Sequence, residues 1–274
     1  MLTAVWLNGV AVDGVAADDR GFAYGDGHFT TIAVRNGEPV LIERHWRRLY
    51  EASQALGIPN DGFAAWRQDF RQFTSAYPDC TAKIVITRGR GGRGYLPDPD
   101  MPTNCYFLAA PPANHSPDHQ DGISCSVLKG QLGLSPLTAG HKHLNRLEQV
   151  LLRRELAASG YPEAVVCDLS GEVVEGVFSN LFVVRGREVW TPALTSAGVA
   201  GVMRGFLMDY LSDLQHTVRA SRLRVEDLYD ADELFFCNSV YGIWPVRCFS
   251  GREMPPNPVT QRLQQHLKNV RITP

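Results

Sequence analysis

Lysine is scarce in this chain: Lys83, Lys129, Lys142 and Lys268 are the four, and the other cations are arginines. A lysine can lose its proton and join a carbonyl carbon as an imine, which an arginine effectively cannot. Lys142 has the most informative setting. It stands in Gly140-His-Lys-His-Leu-Asn-Arg-Leu-Glu-Gln-Val-Leu-Leu-Arg-Arg-Glu155, just ahead of a run in which Leu144, Leu147, Val150 and Leu151 recur at helical spacing. Gly160 followed by Tyr161-Pro162 predicts where that helix stops. Without any chemistry, Lys142 is a solvated residue on a helix-entry loop.

Two further groups could share a ligand with a lysine of that kind. Glu175 lies among apolar residues, where a carboxylate needs a cationic or protonated partner, unless it sits in water on an edge strand. Gly198-Val-Ala-Gly-Val-Met-Arg204 reads as a flexible loop entering a helix, and a helix start offers unpaired N–H groups to a phosphate. Pyridoxal 5′-phosphate needs an aldehyde partner, an acid partner for its ring nitrogen and an anion site, so these three elements suit it. The loop Gly89-Arg-Gly-Gly-Arg-Gly-Tyr95 is glycine-rich, but it has no Gly-Lys-Ser/Thr and no following helix, which argues against a P-loop or dinucleotide fingerprint. Arg93 reads as a carboxylate clamp or as a surface arginine in a loop.

The bulk numbers limit the alternatives. The 274 residues are 44% hydrophobic and 20% charged, as in an ordinary globular protein. A formal charge of −2 with scattered basic residues disfavours nucleic-acid or anionic-membrane binding. No apolar run reaches the ~18 residues of a spanning helix. The start lacks a basic n-region, so the expected location is the cytoplasm. Six cysteines without a C-x-x-C pair predict free thiols and no metal site.

The elements that must position these groups follow from pattern. Asn8-Gly9 predicts a hairpin turn between short strands, and Asn36-Gly37 a second one. The segment Asp18–Thr31, with three close glycines, reads as a packed loop running into a strand. An amphipathic helix is predicted over about 43–56 and another around Phe63, Trp66, Phe70 and Phe73. Strands are predicted at 83–88 and 104–110. The proline- and histidine-rich segment 111–122 reads as a linker between an N-terminal domain, 1–110, and a C-terminal domain, 123–274. Beyond it the strands at 123–128, 163–168, 173–175, 176–184 and 188–190 read as an antiparallel meander. A short helix over 225–231, strands at 233–237 and 243–247, and a helix over about 260–269 complete the chain. The predicted fold class is mixed α/β (α+β).

Three motifs carry a resemblance: Gly25-Asp-Gly-His-Phe-Thr-Thr31, Thr87-Arg-Gly-Arg-Gly-Gly-Arg-Gly-Tyr95 and Lys142-His-Leu-Asn-Arg-Leu-Glu-Gln-Val-Leu151. Through them the chain resembles the fold-type IV pyridoxal-phosphate enzymes over nearly its whole length, and within these it looks most like the aminodeoxychorismate lyases. The resemblance implies a small N-terminal α/β domain and a larger C-terminal domain of antiparallel strands and helices, with the cofactor between them. It implies a homodimer and the conversion of 4-amino-4-deoxychorismate to 4-aminobenzoate and pyruvate. By motif, Lys142 matches the Schiff-base lysine, Arg48 the phosphate arginine, Glu175 the carboxylate on the pyridine nitrogen, and Val202 and Met203 the backbone phosphate donors. Ser239 falls at a further phosphate position. Arg93, Tyr95, Phe29 and Asn238 fall at substrate positions, and Asn180 is the candidate partner of the cofactor's phenolic oxygen. Two departures lower the reading as a branched-chain or D-amino acid aminotransferase: Leu147 and Phe29 stand where those enzymes have tyrosines. A non-catalytic phosphate- or nucleotide-binding module is the alternative of another class.

Overall fold

In the computed structural model, residues 2–92, 94–255 and 257–270 are described. The chain forms two compact units, one of residues 1–114 with 141–145, the other of 115–140 with 146–274.

The first unit is a six-stranded antiparallel sheet with its two long helices packed on one face. Its elements are β1 (Ala4–Leu7), β2 (Val10–Ala11), α1 (Arg20–Tyr24), β3 (Gly27–Arg35), β4 (Glu38–Pro39), α2 (Ile42–Ala55), α3 (Phe63–Ala76), β5 (Cys80–Thr87) and β6 (Asn104–Ala110). The strand order is β2-β1-β6-β5-β3-β4. Asn8 and Gly9 both have positive φ, 47° and 82°, which is the primed-turn geometry that the Asn-Gly dipeptide favours. Trp46 and Leu49 of α2 and Trp66, Phe70 and Phe73 of α3 bury themselves against Ile32, Ile84, Ile86 and Phe107 of the sheet. Side chains alternate along a strand, so Phe29 and Lys83 stand on the opposite parity from Ile32, Ile84 and Ile86, away from that core. Within the loop read over Asp18–Thr31, a one-turn helix, α1, is N-capped by Asp19, whose carboxylate accepts from Gly21 N at 2.8 Å.

The second unit holds β7 (Ile123–Cys125), β8 (Val127–Leu132), α4 (Leu147–Ser159), β9 (Val165–Asp168), β10 (Val173–Gly176), β11 (Asn180–Arg185), β12 (Glu188–Pro192), α5 (Val202–Asp213), β13 (Thr217–Ser221), α6 (Val225–Tyr229), β14 (Glu233–Asn238), β15 (Gly242–Phe249), β16 (Arg252–Glu253) and α7 (Pro258–Asn269). The expected continuous meander is corrected here. Strands β8, β9 and β10 make one sheet, and β11 and β12 belong to another with β7 and β13 to β16. Three pairs are parallel: β8 with β9, β12 with β13, and β15 with β7. The break falls at the turn between Gly176 and Asn180, where the chain leaves one sheet and enters the other.

The lysine helix also differs from its prediction. It begins at Leu147 rather than directly after Lys142, and Leu152 and Leu156 are its buried residues. Leu147, Val150 and Leu151 face solvent, 70%, 54% and 52% exposed. Its C-cap is Gly160 in the left-handed region, φ 78°, as the stop signal predicts.

Candidate active site

Lys142 belongs to the first unit, and backbone pairing places it there. Phe29 N donates to Lys142 O at 2.9 Å, Leu144 N donates to Gly27 O at 2.9 Å, and His28 bridges His143 in antiparallel register. The segment is thus an added strand beside the start of β3. Lys142 Nζ lies 4.8 Å from the centre of the Phe29 ring, and Lys83 Nζ lies 4.0 Å from the same centre. A ring face attracts a cation, so Phe29 draws the two lysine side chains to one place. Burial holds the Lys83 ammonium below its usual range.

On the helix side of β3, Thr30 organises a second polar group. Its Oγ1 accepts from Arg48 Nη2 and lies 2.6 Å from His45 Nδ1. Which of the two donates there follows the tautomer of the His45 ring. His45 Nε2 and Arg48 Nε are buried and have no hydrogen-bond partner among the described residues. No carboxylate pairs with Arg48 among them either. Burial lowers the Arg48 guanidinium to about 10 and holds His45 well below the ordinary histidine range. A buried cation with an unused donor fits an anionic ligand, so the phosphate role expected of Arg48 suits its surroundings.

The glycine loop is tied to α1. The buried Arg20 donates to Asp26 Oδ2 at 2.8 Å, to Gly94 O at 3.1 Å and to Tyr95 O at 2.9 Å. Arg88 donates to the same Asp26 oxygen at 2.8 Å and to the carbonyls of Leu56 and Gly57 at the end of α2. The two guanidinium partners hold the Asp26 carboxyl below its usual range against the opposing effect of burial. The Tyr95 side chain is 88% exposed. Arg93 lies outside the described residues.

In the second unit the predicted residues converge on one turn. Glu175 is the last but one residue of β10 and is buried, and its Oε2 accepts from Val199 N at 2.9 Å and lies 3.5 Å from Asn180 Nδ2. Asn180 also donates to Val199 O at 2.9 Å and accepts from Gly201 N at 3.1 Å. Both of its amide hydrogens thus point at protein groups, and its contact in this structure is to Glu175 and the 199–201 loop. Arg146 supplies a cation in the field of Glu175: burial lowers the guanidinium and the Glu175 and Glu148 carboxylates raise it. Gly201 is the extended N-cap of α5, with φ −67° and ψ 144°, and as a glycine it brings no side-chain cap to the first N–H groups of the helix, at Val202 and Met203. Gly198 must be glycine, since its φ is +83° and a Cβ there would strike Val174 Cγ1. Asn238 folds its own turn: Oδ1 accepts from Val240 N at 2.9 Å and Tyr241 N at 3.0 Å, and Nδ2 donates to Phe178 O at 3.3 Å. Ser239 stands at the tip of that turn.

Sequence reasoning counted Lys83 among the four lysines but did not place it beside Phe29, and it found neither the Thr30–His45 pair nor a role for Glu163. A lysine alternating with isoleucine and valine in β5 is the signal that could have marked Lys83. No described group of three or more histidine, cysteine, aspartate or glutamate side chains could hold a metal.

Fold and polar groups together define a mixed α/β protein with a strand-fixed lysine, a buried guanidinium and an uncapped helix start. The amino-transferase class IV family matches residues 27–249, and the chain belongs to that family, whose members are pyridoxal-phosphate dependent. The chain is 37% identical to the aminodeoxychorismate lyase of Vibrio harveyi, covering 96% of this chain and 98% of that one. The crystal structure of 4-amino-4-deoxychorismate lyase from Pseudomonas aeruginosa superimposes with a TM-score of 0.93 at 41% identity, over 97% of this chain and 98% of that one. A putative branched-chain-amino-acid aminotransferase of Methanocaldococcus jannaschii is 30% identical over 97% of this chain and 96% of its own length.

Proposed function

We propose that this chain is a pyridoxal-phosphate-dependent lyase that converts 4-amino-4-deoxychorismate to 4-aminobenzoate and pyruvate. The observation that carries the reading is Lys142, held by strand pairing above Phe29, in a chain that matches lyases at 37–41% identity over nearly its full length.

Pyridoxal phosphate, when bound, supplies an aldehyde for a lysine and a ring that draws electrons from the reacting carbon. By the resemblance, Arg48 would serve its phosphate, and so would the N–H groups of Val202 and Met203 and Ser239. Glu175, aimed by Val199 N, would keep its ring nitrogen protonated. Lys142 Nζ, once neutral, takes the proton from C4 of the substrate. Loss of that proton and of the enolpyruvyl side chain makes the six-membered ring aromatic, and Lys142 or water returns a proton to the departing three-carbon fragment. Tyr95 and Arg93 are the substrate-carboxylate residues of this reading.

The reading extends to assembly and location. Leu147, Val150 and Leu151 form an exposed apolar face on α4, which supports a homodimer. All six cysteines are free, which supports a reducing compartment such as the cytoplasm. No helix among the described residues is long and apolar enough to cross a membrane.

Purified protein incubated with aminodeoxychorismate is expected to release 4-aminobenzoate and pyruvate in equal amounts. Lys142→Ala is expected to lose that activity and the borohydride-trapped cofactor adduct together. A trapped label on Lys83, Lys129 or Lys268 would refute the assignment. Amino-group transfer from leucine or D-alanine to 2-oxoglutarate, without pyruvate release from the chorismate, would establish the aminotransferase alternative.

A further inference from the structure

Glu163 is fully buried, and no ion pair neutralises it among the described residues. Four donors surround it instead. Oε1 accepts from Ala164 N at 3.0 Å and Val177 N at 2.8 Å. Oε2 accepts from Ser179 Oγ at 2.6 Å and Phe178 N at 3.4 Å. Three of these donors lie in one turn, 176–179. Gly176 passes so close that a Cβ there would come within 3.0 Å of both Oε2 and the carboxyl carbon of Glu163. The carboxylate is therefore the inside of the turn: it satisfies N–H groups that no strand pairs.

The residues flanking the turn are Glu175 and Asn180. Glu175 reaches Val199, and Asn180 reaches Val199 and Gly201 at the start of α5. The turn itself offers Phe178 O to Asn238, whose own turn carries Ser239. The candidate cofactor groups of the second unit, Glu175, Val202 with Met203, and Ser239, thus all connect to one turn, and Glu163 fixes that turn.

We infer that Glu163 is the positioning residue of the cofactor groups in the second unit, holding the 176–179 turn so that Glu175 and the 199–201 loop keep one geometry. The inference rests on the cofactor reading above. Burial pushes the Glu163 carboxyl up to about 7, against the four hydrogen bonds that favour its charged form.

Glu233 provides a matched control. It is buried in the same way and accepts from Val259 N and Thr260 N at 2.8 Å each and from Thr260 Oγ1 at 2.7 Å. It lies at the end of β14 opposite Asn238 and caps α7 rather than the turn. The experiment titrates apoprotein of each variant with pyridoxal phosphate, recording affinity and the absorption band of the bound form, and measures Tm without cofactor. Glu163→Gln puts an amide donor among N–H donors. It is expected to weaken cofactor binding at least tenfold and to move the absorption band, because Glu175 loses its aim. Glu233→Gln is expected to lower Tm by a similar amount and to bind within twofold of wild type. Should Glu163→Gln fail to fold, Ser179→Ala removes one of the four donors and is expected to weaken binding several-fold. Wild-type affinity in Glu163→Gln, or in Ser179→Ala when that variant stands in, overturns the inference, as does parallel weakening in Glu233→Gln. A wild-type chain that takes up no pyridoxal phosphate overturns the cofactor reading, and this inference falls with it.

Discussion

His28 shows how a single residue in β3 makes stability depend on pH. It is buried, and its Nε2 lies 2.8 Å from Ser53 Oγ. Burial, with smaller contributions from the His141 and Arg48 charges, lowers its pKa to about 3. The unfolded chain takes up the proton near 6.5 and the folded chain does not. Between those values the unfolded state binds more protons, so stability falls as pH falls. Above about 6.5 the His28 contribution is complete. Below it the loss is about 1.4 kcal/mol per pH unit until the folded side chain titrates. Other groups titrate in the same range; Glu163, with its raised pKa, acts in the opposite sense between about 4.5 and 7. The difference between wild type and His28→Gln isolates the histidine. In urea denaturation from pH 7.5 to 5, that difference is expected to be flat at first and then to fall. A constant difference would show that His28 titrates normally in the folded protein.

At the scale of elements, α4 closes the open edge of β8 with two carboxylates. Glu155 accepts from Lys129 N at 2.7 Å and Gly130 N at 3.0 Å, and Glu148 accepts from Gly133 N at 2.9 Å. An edge strand with bare N–H groups invites further pairing, and here side chains supply the acceptors. Glu155→Ala leaves two backbone donors to water and is expected to cost about 1 kcal/mol, read as a lower urea midpoint with an unchanged m-value. A variant as stable as wild type would show that water serves those donors equally well. The same helix marks the limit of sequence reading. Both Asn-Gly turns, the amphipathic helices α2 and α3, and strand β6 follow from local pattern, because turn geometry and burial of one face depend on nearby residues. The apolar spacing of α4 predicts an inward face at Leu147, Val150 and Leu151, yet the buried residues are Leu152 and Leu156. Which side of a helix meets the core is decided by distant strands, and spacing alone carries no such information. The candidate site divides the same way. Lys142, Glu175 and the start of α5 are marked by their types and neighbours. Glu163 is not, since its four donors come from a turn formed a dozen or more residues later and from its own neighbour.

For the whole molecule, the outward face of α4 becomes an argument about assembly. Leu147, Val150 and Leu151 stand at i, i+3 and i+4, so they form one stripe on the helix. Burying a side chain of this kind contributes about 1.5–3 kcal/mol, and a pairing of two such faces removes six from water. A symmetric pairing brings the same stripe of each copy to one interface. The double variant Leu147→Glu, Leu151→Glu places two charges on each stripe, where pairing would bury them without partners. In sedimentation equilibrium at micromolar concentration, wild type is expected to run at twice the mass of its chain and the double variant at once. Both positions are exposed in the single chain, so the far-ultraviolet circular dichroism of the variant is expected to match wild type. A double variant that remains dimeric would place the interface elsewhere, and a wild type that runs as a single chain would remove the dimer from the proposed function.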